Sequence, residues 1–153
     1  NLRQLLVRSR LTSDHEIPGT FPCDRARCVT CLHTSRITTL SCPNRDYTIT
    51  STFTCTSSNL VYAIQCMQCA KVYIGETGRR LGDRFAEHRR DVIAKRRSSP
   101  VAQHFGSTGH SLEDMSVMVL RQFTSDSSRM RGEMALIYHQ DPSGLNIDFS
   151  FNV

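Results

Sequence analysis

Seven cysteines fall between positions 23 and 69 of a 153-residue chain, and none follows. Four of them form two close pairs, Cys28-x-x-Cys31 and Cys66-x-x-Cys69. A two-residue spacer lets a short turn aim both sulfurs at one ion, which suits tetrahedral zinc. An odd cysteine count and no signal-peptide h-region argue against a disulfide framework. The competing reading is reduced, buried thiols that behave as small hydrophobes. Upstream, Cys23-x4-Cys28-x2-Cys31 supplies three ligands. Cys55 is expected as the fourth, because it lies just before the first strong apolar run and would tie the segment to it. Cys42 and His33 are its rivals. His33, two residues past Cys31, is awkwardly placed for the same tetrahedron.

Charge supplies a second chemistry. Lys plus Arg is 19 against 14 Asp plus Glu, a net charge of +5. All but Lys71 and Lys95 are arginine, the side chain that grips phosphate bidentately. Eight of the nineteen basic residues lie between Arg79 and Arg97. Such a run is either a solvated face or a phosphate-backbone track. The second reading makes Arg79, Arg80, Arg89, Arg90, Arg96 and Arg97 candidate DNA contacts. A helix continuous through about Arg97 would stack Arg89 with Arg96 and Arg90 with Arg97. No base-reading motif is visible, so these contacts would position DNA without specifying sequence.

The elements that must carry these groups follow from periodicity. Leu2, Leu5, Leu6 and Leu11 among arginines give a short amphipathic pattern over 1–11. Residues 20–57 are rich in Thr, Ser, Cys and Pro and cannot build a core unaided, so a metal staple is expected. Leu60-Val61-Tyr62-Ala63-Ile64 reads as a buried strand and Val72-Tyr73-Ile74 as its hairpin partner, with Gly75 and Gly78 ending the second strand. Leu81, Phe85, Val92 and Ile93 predict a helix to about Arg97. Pro100 breaks it, and Val101–Phe105 starts a short one. Met115, Val117, Val119 and Phe123 predict a third strand, and Met130, Met134, Leu136, Ile137 and Tyr138 a closing helix. Pro142-Ser143-Gly144 then turns the chain. At 39% apolar the chain can bury a core, and no run approaches the roughly 20 apolar residues of a membrane span. The order predicts a small α/β (α+β) domain around a three-stranded sheet. Without an initial Met, and ending at Phe151-Asn152-Val153, the chain is expected to be a segment of a longer polypeptide.

From Leu60 to Glu133 the chain resembles the GIY-YIG nuclease superfamily. Tyr73-Ile74-Gly75 is its second signature triplet. The first reads Leu60-Val61-Tyr62, keeping only the tyrosine, eleven residues from Tyr73. Arg84, His88, Glu133 and Asn146 follow in family order. The Cys66/Cys69 pair between the triplets, with His104 and Gly109-His110 beyond, narrows the resemblance to the endonuclease domain of Penelope-like retroelements. Residues 21–57 look like the Cys-rich segment that joins reverse transcriptase to nuclease in that group. The implied division is 1–20 as tail and linker, 21–57 as zinc-binding linker, and 58–153 as nuclease domain with an antiparallel sheet flanked by helices.

The resemblance implies roles. Tyr62, Tyr73, Arg84, His88 and Glu133 would be catalytic. Glu133 would offer a hard oxygen to Mg²⁺ or Mn²⁺, and Arg84 would hold the scissile phosphate. Either tyrosine would serve as general base, which requires nearby positive charge because free phenol titrates near about 10. His88, one turn from Arg84, would move a proton or contact phosphate. Cys66, Cys69, His104 and His110 would form a closed, structural zinc site, giving two zinc ions with the upstream cluster. The partner would be DNA, with the RNA template and the adjoining polymerase as further partners in the nucleus. The product would be a nick whose 3′-hydroxyl primes reverse transcription. Taken singly, the residues have plainer readings: strand tyrosines that pack, Arg84 as a solvated charge, Glu133 paired on the surface with Arg129. Competing functions are a non-catalytic, zinc-stapled nucleic-acid-binding module and a structure-specific repair nuclease.

Overall fold

The computed structural model describes residues 17–42, 45–107, 109–139 and 144–146. The amphipathic stretch at 1–11 and the turn at Pro142-Ser143 lie outside them. Three strands make the central sheet: β5 (Leu60–Cys66), β6 (Val72–Thr77) and β7 (Met115–Gln122), in the order β6-β5-β7 and all antiparallel. Every residue of β5 except Gln65 is buried. A strand covered on both faces reads as a continuous apolar run, as Leu60–Ile64 does. The same cause hides half of the β7 pattern: Ser116, Met118 and Leu120 are buried along with Met115, Val117 and Val119. Gly75, expected to end β6, lies inside it, and the strand runs on to Thr77.

Helix α1 (Leu81–Ile93) buries Leu81, Phe85, His88 and Val92. It stops four residues short of Arg97. The Ala94 N–H bonds to the Arg90 carbonyl at 2.9 Å, and Lys95 takes φ +50°, which turns the chain out of the helix. Arg96 and Arg97 are therefore off the helix, and the expected stacking on Arg89 and Arg90 does not form. Helix α2 (Pro100–Phe105) begins with proline, and its Ser99 cap accepts a hydrogen bond from the Ala102 N–H; both features suit a helix start. Helix α3 (Asp126–His139) closes the fold.

Among the described residues, the segment before β5 holds four short strands. β1 (Gly19–Phe21) pairs in parallel with β4 (Thr52–Thr54), and β2 (Thr39–Leu40) pairs antiparallel with β3 (Tyr47–Thr48). It borrows a core: Leu40, Ile49 and Phe53 join the cluster built on the central sheet. It also covers the outer edge of β7. His33 Nδ1–H donates to Met115 O at 2.9 Å, Ser35 N–H to Val117 O at 2.9 Å, and Tyr47 O–H to Leu120 O at 3.3 Å. The Val119 N–H donates to Thr20 Oγ1 at 2.8 Å. The opposite edge is covered by Leu145, whose N–H bonds Val72 O at 2.9 Å, and by Asn146. The Asn146 amide accepts from Ile74 N–H at 2.8 Å and donates to Ile74 O at 2.7 Å, reproducing a strand's pairing with one side chain.

Candidate functional site

The hairpin register sets Tyr62 opposite Gly75 and Ile64 opposite Tyr73. Cross-strand partners share a face, so both tyrosines project from one side of the sheet. Gly75 is required there. A Cβ at that position would lie 2.6 Å from the Tyr62 hydroxyl oxygen and 2.8 Å from the Tyr73 ring. Helix α1 supplies Arg84 and His88, one turn apart and hence on one face. Tyr62 OH and His88 Nε2 are 2.7 Å apart, and Arg84 Nε–H donates to the same hydroxyl at 3.1 Å. The His88 ring meets Tyr73 edge-on at 5.3 Å between centroids. Glu87 holds Arg84 at 2.7 Å and Arg79 at 2.6 Å.

Burial dominates the electrostatics. Tyr62 is fully buried and Tyr73 half-buried. Burial pushes both phenols above their ordinary range, while the Arg84 charge pulls each back. Burial, followed by the charge of Arg84, drives His88 down to about 3, so the ring is neutral at physiological pH. Its Nδ1 is buried with no hydrogen-bond partner among the described residues. Glu133, on α3, is within electrostatic reach of Arg84 and both tyrosines. Burial first, then the neighbouring Glu76 carboxylate, raises it to about 7.

Two members of this neighbourhood escape sequence reasoning. Glu76 follows the second triplet directly, yet no local pattern marks it. Arg129, which the plainer reading pairs with Glu133 on the surface, is buried and bonds the Glu76 carboxylate, Asp126 at 2.9 Å and Asn59 at 3.2 Å. Asn146, which follows Glu133 in family order, sits at the sheet edge. It clips the edge of β6 through the Ile74 amide and carbonyl.

The cysteines fall into two groups. Cys23, Cys28, Cys31 and Cys55 bring their sulfurs within 4.8 Å of one another. Cys28 and Cys55 are 3.3 Å apart, Cys31 and Cys23 3.4 Å, and Cys31 and Cys55 3.9 Å. Sulfurs bound about 2.3 Å from a common zinc stand about 3.8 Å apart in a tetrahedron. His33 is directed to Met115 O and packs against Phe85. Cys42 lines a cleft of about 360 Å³ with Tyr47, Ile74, Leu120 and Leu136. Neither rival joins the cluster. The turn carrying Cys55 also caps α1: Leu81 N–H donates to Ser57 O at 2.9 Å and Gly82 N–H to Cys55 O at 2.8 Å. These satisfy two of the amides that a helix start leaves unpaired.

The second group is Cys66, Cys69, His104 and His110, also within 4.8 Å. Cys66 Sγ lies 3.4 Å from His110 Nδ1, and Cys69 Sγ lies 3.4 Å from His104 Nε2. A shared zinc would separate sulfur and nitrogen by about 3.6 Å. The hairpin tip needs Ala70 at φ +59°, and the return to His110 needs Gly109 at φ +90°. Burial holds His104 below its ordinary value, which keeps it neutral and able to ligate. Both groups could hold a zinc ion, and four protein ligands leave no open position for catalysis.

Of the candidate DNA contacts, Arg79, Arg80, Arg90, Arg96 and Arg97 are exposed and Arg89 is half-buried. Arg96 pairs with Asp91 at 3.3 Å. Comparison with known protein families, curated proteins and solved structures finds no match to this chain.

Proposed function

We propose that the chain is the metal-dependent endonuclease segment of a Penelope-like retroelement, of GIY-YIG type, which nicks DNA to leave a 3′-hydroxyl primer. The observation that carries this reading is the Tyr62–Arg84–His88 hydrogen-bonded group beside Tyr73, with Glu133 within its electrostatic reach. These are the five residues that the resemblance selects from sequence order alone.

Glu133 and its surroundings suit a hard divalent cation, because a carboxylate that burial and Glu76 hold partly protonated gains most from a positive charge. Bound there, Mg²⁺ or Mn²⁺ would stabilise the charge that builds on the phosphate. Arg84 contributes the guanidinium fork, with Glu87 fixing its orientation. Tyr62, buried and bonded to both Arg84 and His88, orients that fork. Tyr73, half-exposed and under the Arg84 charge, is placed to meet an attacking water; its phenolate, the form that can take the water's proton, would be favoured by a divalent cation bound beside it. The water oxygen bonds to phosphorus as the P–O3′ bond breaks, leaving a 5′-phosphate and a 3′-oxygen that takes a proton from solvent to become the 3′-hydroxyl. The exposed arginines near α1 supply sequence-independent backbone contacts. The zinc groups hold the hairpin and the linker in register around these side chains.

A plasmid-nicking assay with Mg²⁺ tests the reading. Wild type is expected to convert supercoiled to open circular DNA, and Glu133→Ala to lose at least about a thousandfold in rate while DNA affinity stays within about twofold. Equal nicking by both proteins rejects the assignment. DNA binding with no nicking by wild type under any divalent cation favours the zinc-stapled binding module instead.

A further inference from the structure

Arg129 is the least expected charge in the fold. Its side chain is 7% exposed, yet it belongs to an exposed stretch at the start of α3. Among the described residues it has three side-chain partners, each on a different part of the chain. Glu76 lies at the end of β6, Asn59 just before β5, and Asp126 in the first turn of α3 itself. Asn59 adopts the left-handed φ +56° and accepts from Arg129 Nη1–H through its side-chain oxygen. Gly78, just past β6, leaves room for it: an added Cβ would stand 3.3 Å from Arg129 Nη2.

The helix carries this clamp to the site. Glu133 is four residues after Arg129, one turn on and on the same face. Gly132 brings α3 against Phe123, where a Cβ would meet the ring at 2.2 Å, so the helix is held closely on that side as well. We infer that Arg129 is a positioning residue. By tying the first turn of α3 to Glu76 and Asn59, it fixes where the Glu133 carboxylate stands relative to Tyr73 and Arg84. A buried guanidinium fits this role because its planar fork engages several acceptors in fixed directions, which an ammonium cannot do. The cost of leaving Glu76 unpaired ties the helix to the strand.

The consequence for cleavage rests on the endonuclease reading, whereas the clamp does not. The test therefore has two arms, using wild type, Arg129→Gln, Arg129→Lys and Glu76→Gln. Hydrogen exchange, read without DNA, is expected to speed at least tenfold across 127–138 in Arg129→Gln, with 61–65 in β5 unchanged and both zinc ions retained. Plasmid nicking is expected to lose tenfold or more in kcat, with DNA dissociation constants within twofold of wild type. Arg129→Lys should recover less than a third of the loss. The double Glu76→Gln, Arg129→Gln variant should be no worse than Arg129→Gln, because both changes remove the same bond. Unchanged exchange in α3, additive losses in the double variant, or acceleration of β5 along with α3 would each overturn local positioning. If wild type fails to nick, the endonuclease reading falls, and the exchange arm still decides the clamp.

Discussion

The four-cysteine group and the Tyr62 group are both built around α1, and they treat charge in opposite ways. At the start of the helix, four thiols converge with their sulfurs at near-ligand spacing, an arrangement that makes sense when a cation ionises them together. Along the middle of the same helix, burial holds His88 and Tyr62 neutral, and Glu133 is kept partly protonated nearby. The first arrangement spends its ligands on holding chain segments together. The second draws the Glu133 carboxyl from its usual ionised form toward the neutral one, a kind of shift that clusters at functional sites. The lesson is that clustering alone does not mark the reactive site. The closed cluster offers its ligands as scaffold, and the shifted carboxyl is what makes the other group a candidate for chemistry.

The sharpest way to break this contrast is to remove a ligand. Cys55→Ser is expected to release one zinc and lower the melting temperature by more than about 10 °C, since it unties the linker and the cap of α1 together. Cys42→Ser should keep both zinc ions and shift melting by less than about 2 °C. Equal zinc loss from the two variants would erase the distinction between Cys55 and Cys42. A smaller effect is expected in the second region. Arg84→Lys should fold normally and lose about a hundredfold in nicking rate, because a point charge cannot serve Tyr62, Glu87 and phosphate at once. Near-wild-type turnover would show that the fork is not needed.

The smallest effect concerns pH. The Glu133 carboxyl is raised from its ordinary value of 4.5 to about 7 in the folded chain. The unfolded chain thus gives up this proton first as pH rises, and the folded state loses stability between about 4.5 and 7. Glu133→Gln removes that loss. Urea melts should show the variant gaining on wild type as pH rises from 5 to 8, with the gap flat above about 7.5. A gap that does not change with pH would place Glu133 in water rather than in a desolvated site.

Much of this architecture was legible because its signals are local. Apolar runs marked β5 and the hairpin, and the 81–92 periodicity marked α1. Cysteine spacing marked the two close pairs, because thiol ligands come in short turns, and the position of Cys55 just before the first apolar run marked it as the upstream fourth; His104 and His110 were legible only through the resemblance. What stayed hidden depends on contacts across the chain or on unusual backbone. Lys95 ends α1 in a left-handed conformation that nothing in its own residue type announces. Glu76 and Arg129 are 53 residues apart, and Asn146 finds Ile74 across 72. Tyr62 looked like a reacting phenol, and only the packing shows that its hydroxyl is wholly enclosed between Arg84 and His88.

The two covered edges of the central sheet carry a consequence beyond stability. A three-stranded sheet with free outer strands offers its unpaired amides and carbonyls to any extended chain nearby, including another copy of itself. Here, Ser35, Tyr47, Thr20 and His33 occupy one outer ladder, while Leu145 and the Asn146 amide occupy the other at Val72 and Ile74. Backbone recognition is thereby closed to strangers at these positions, and what the domain meets there must be chosen by side chains. For a small domain with only three strands in its central sheet, that removes one route to sticking in the wrong place.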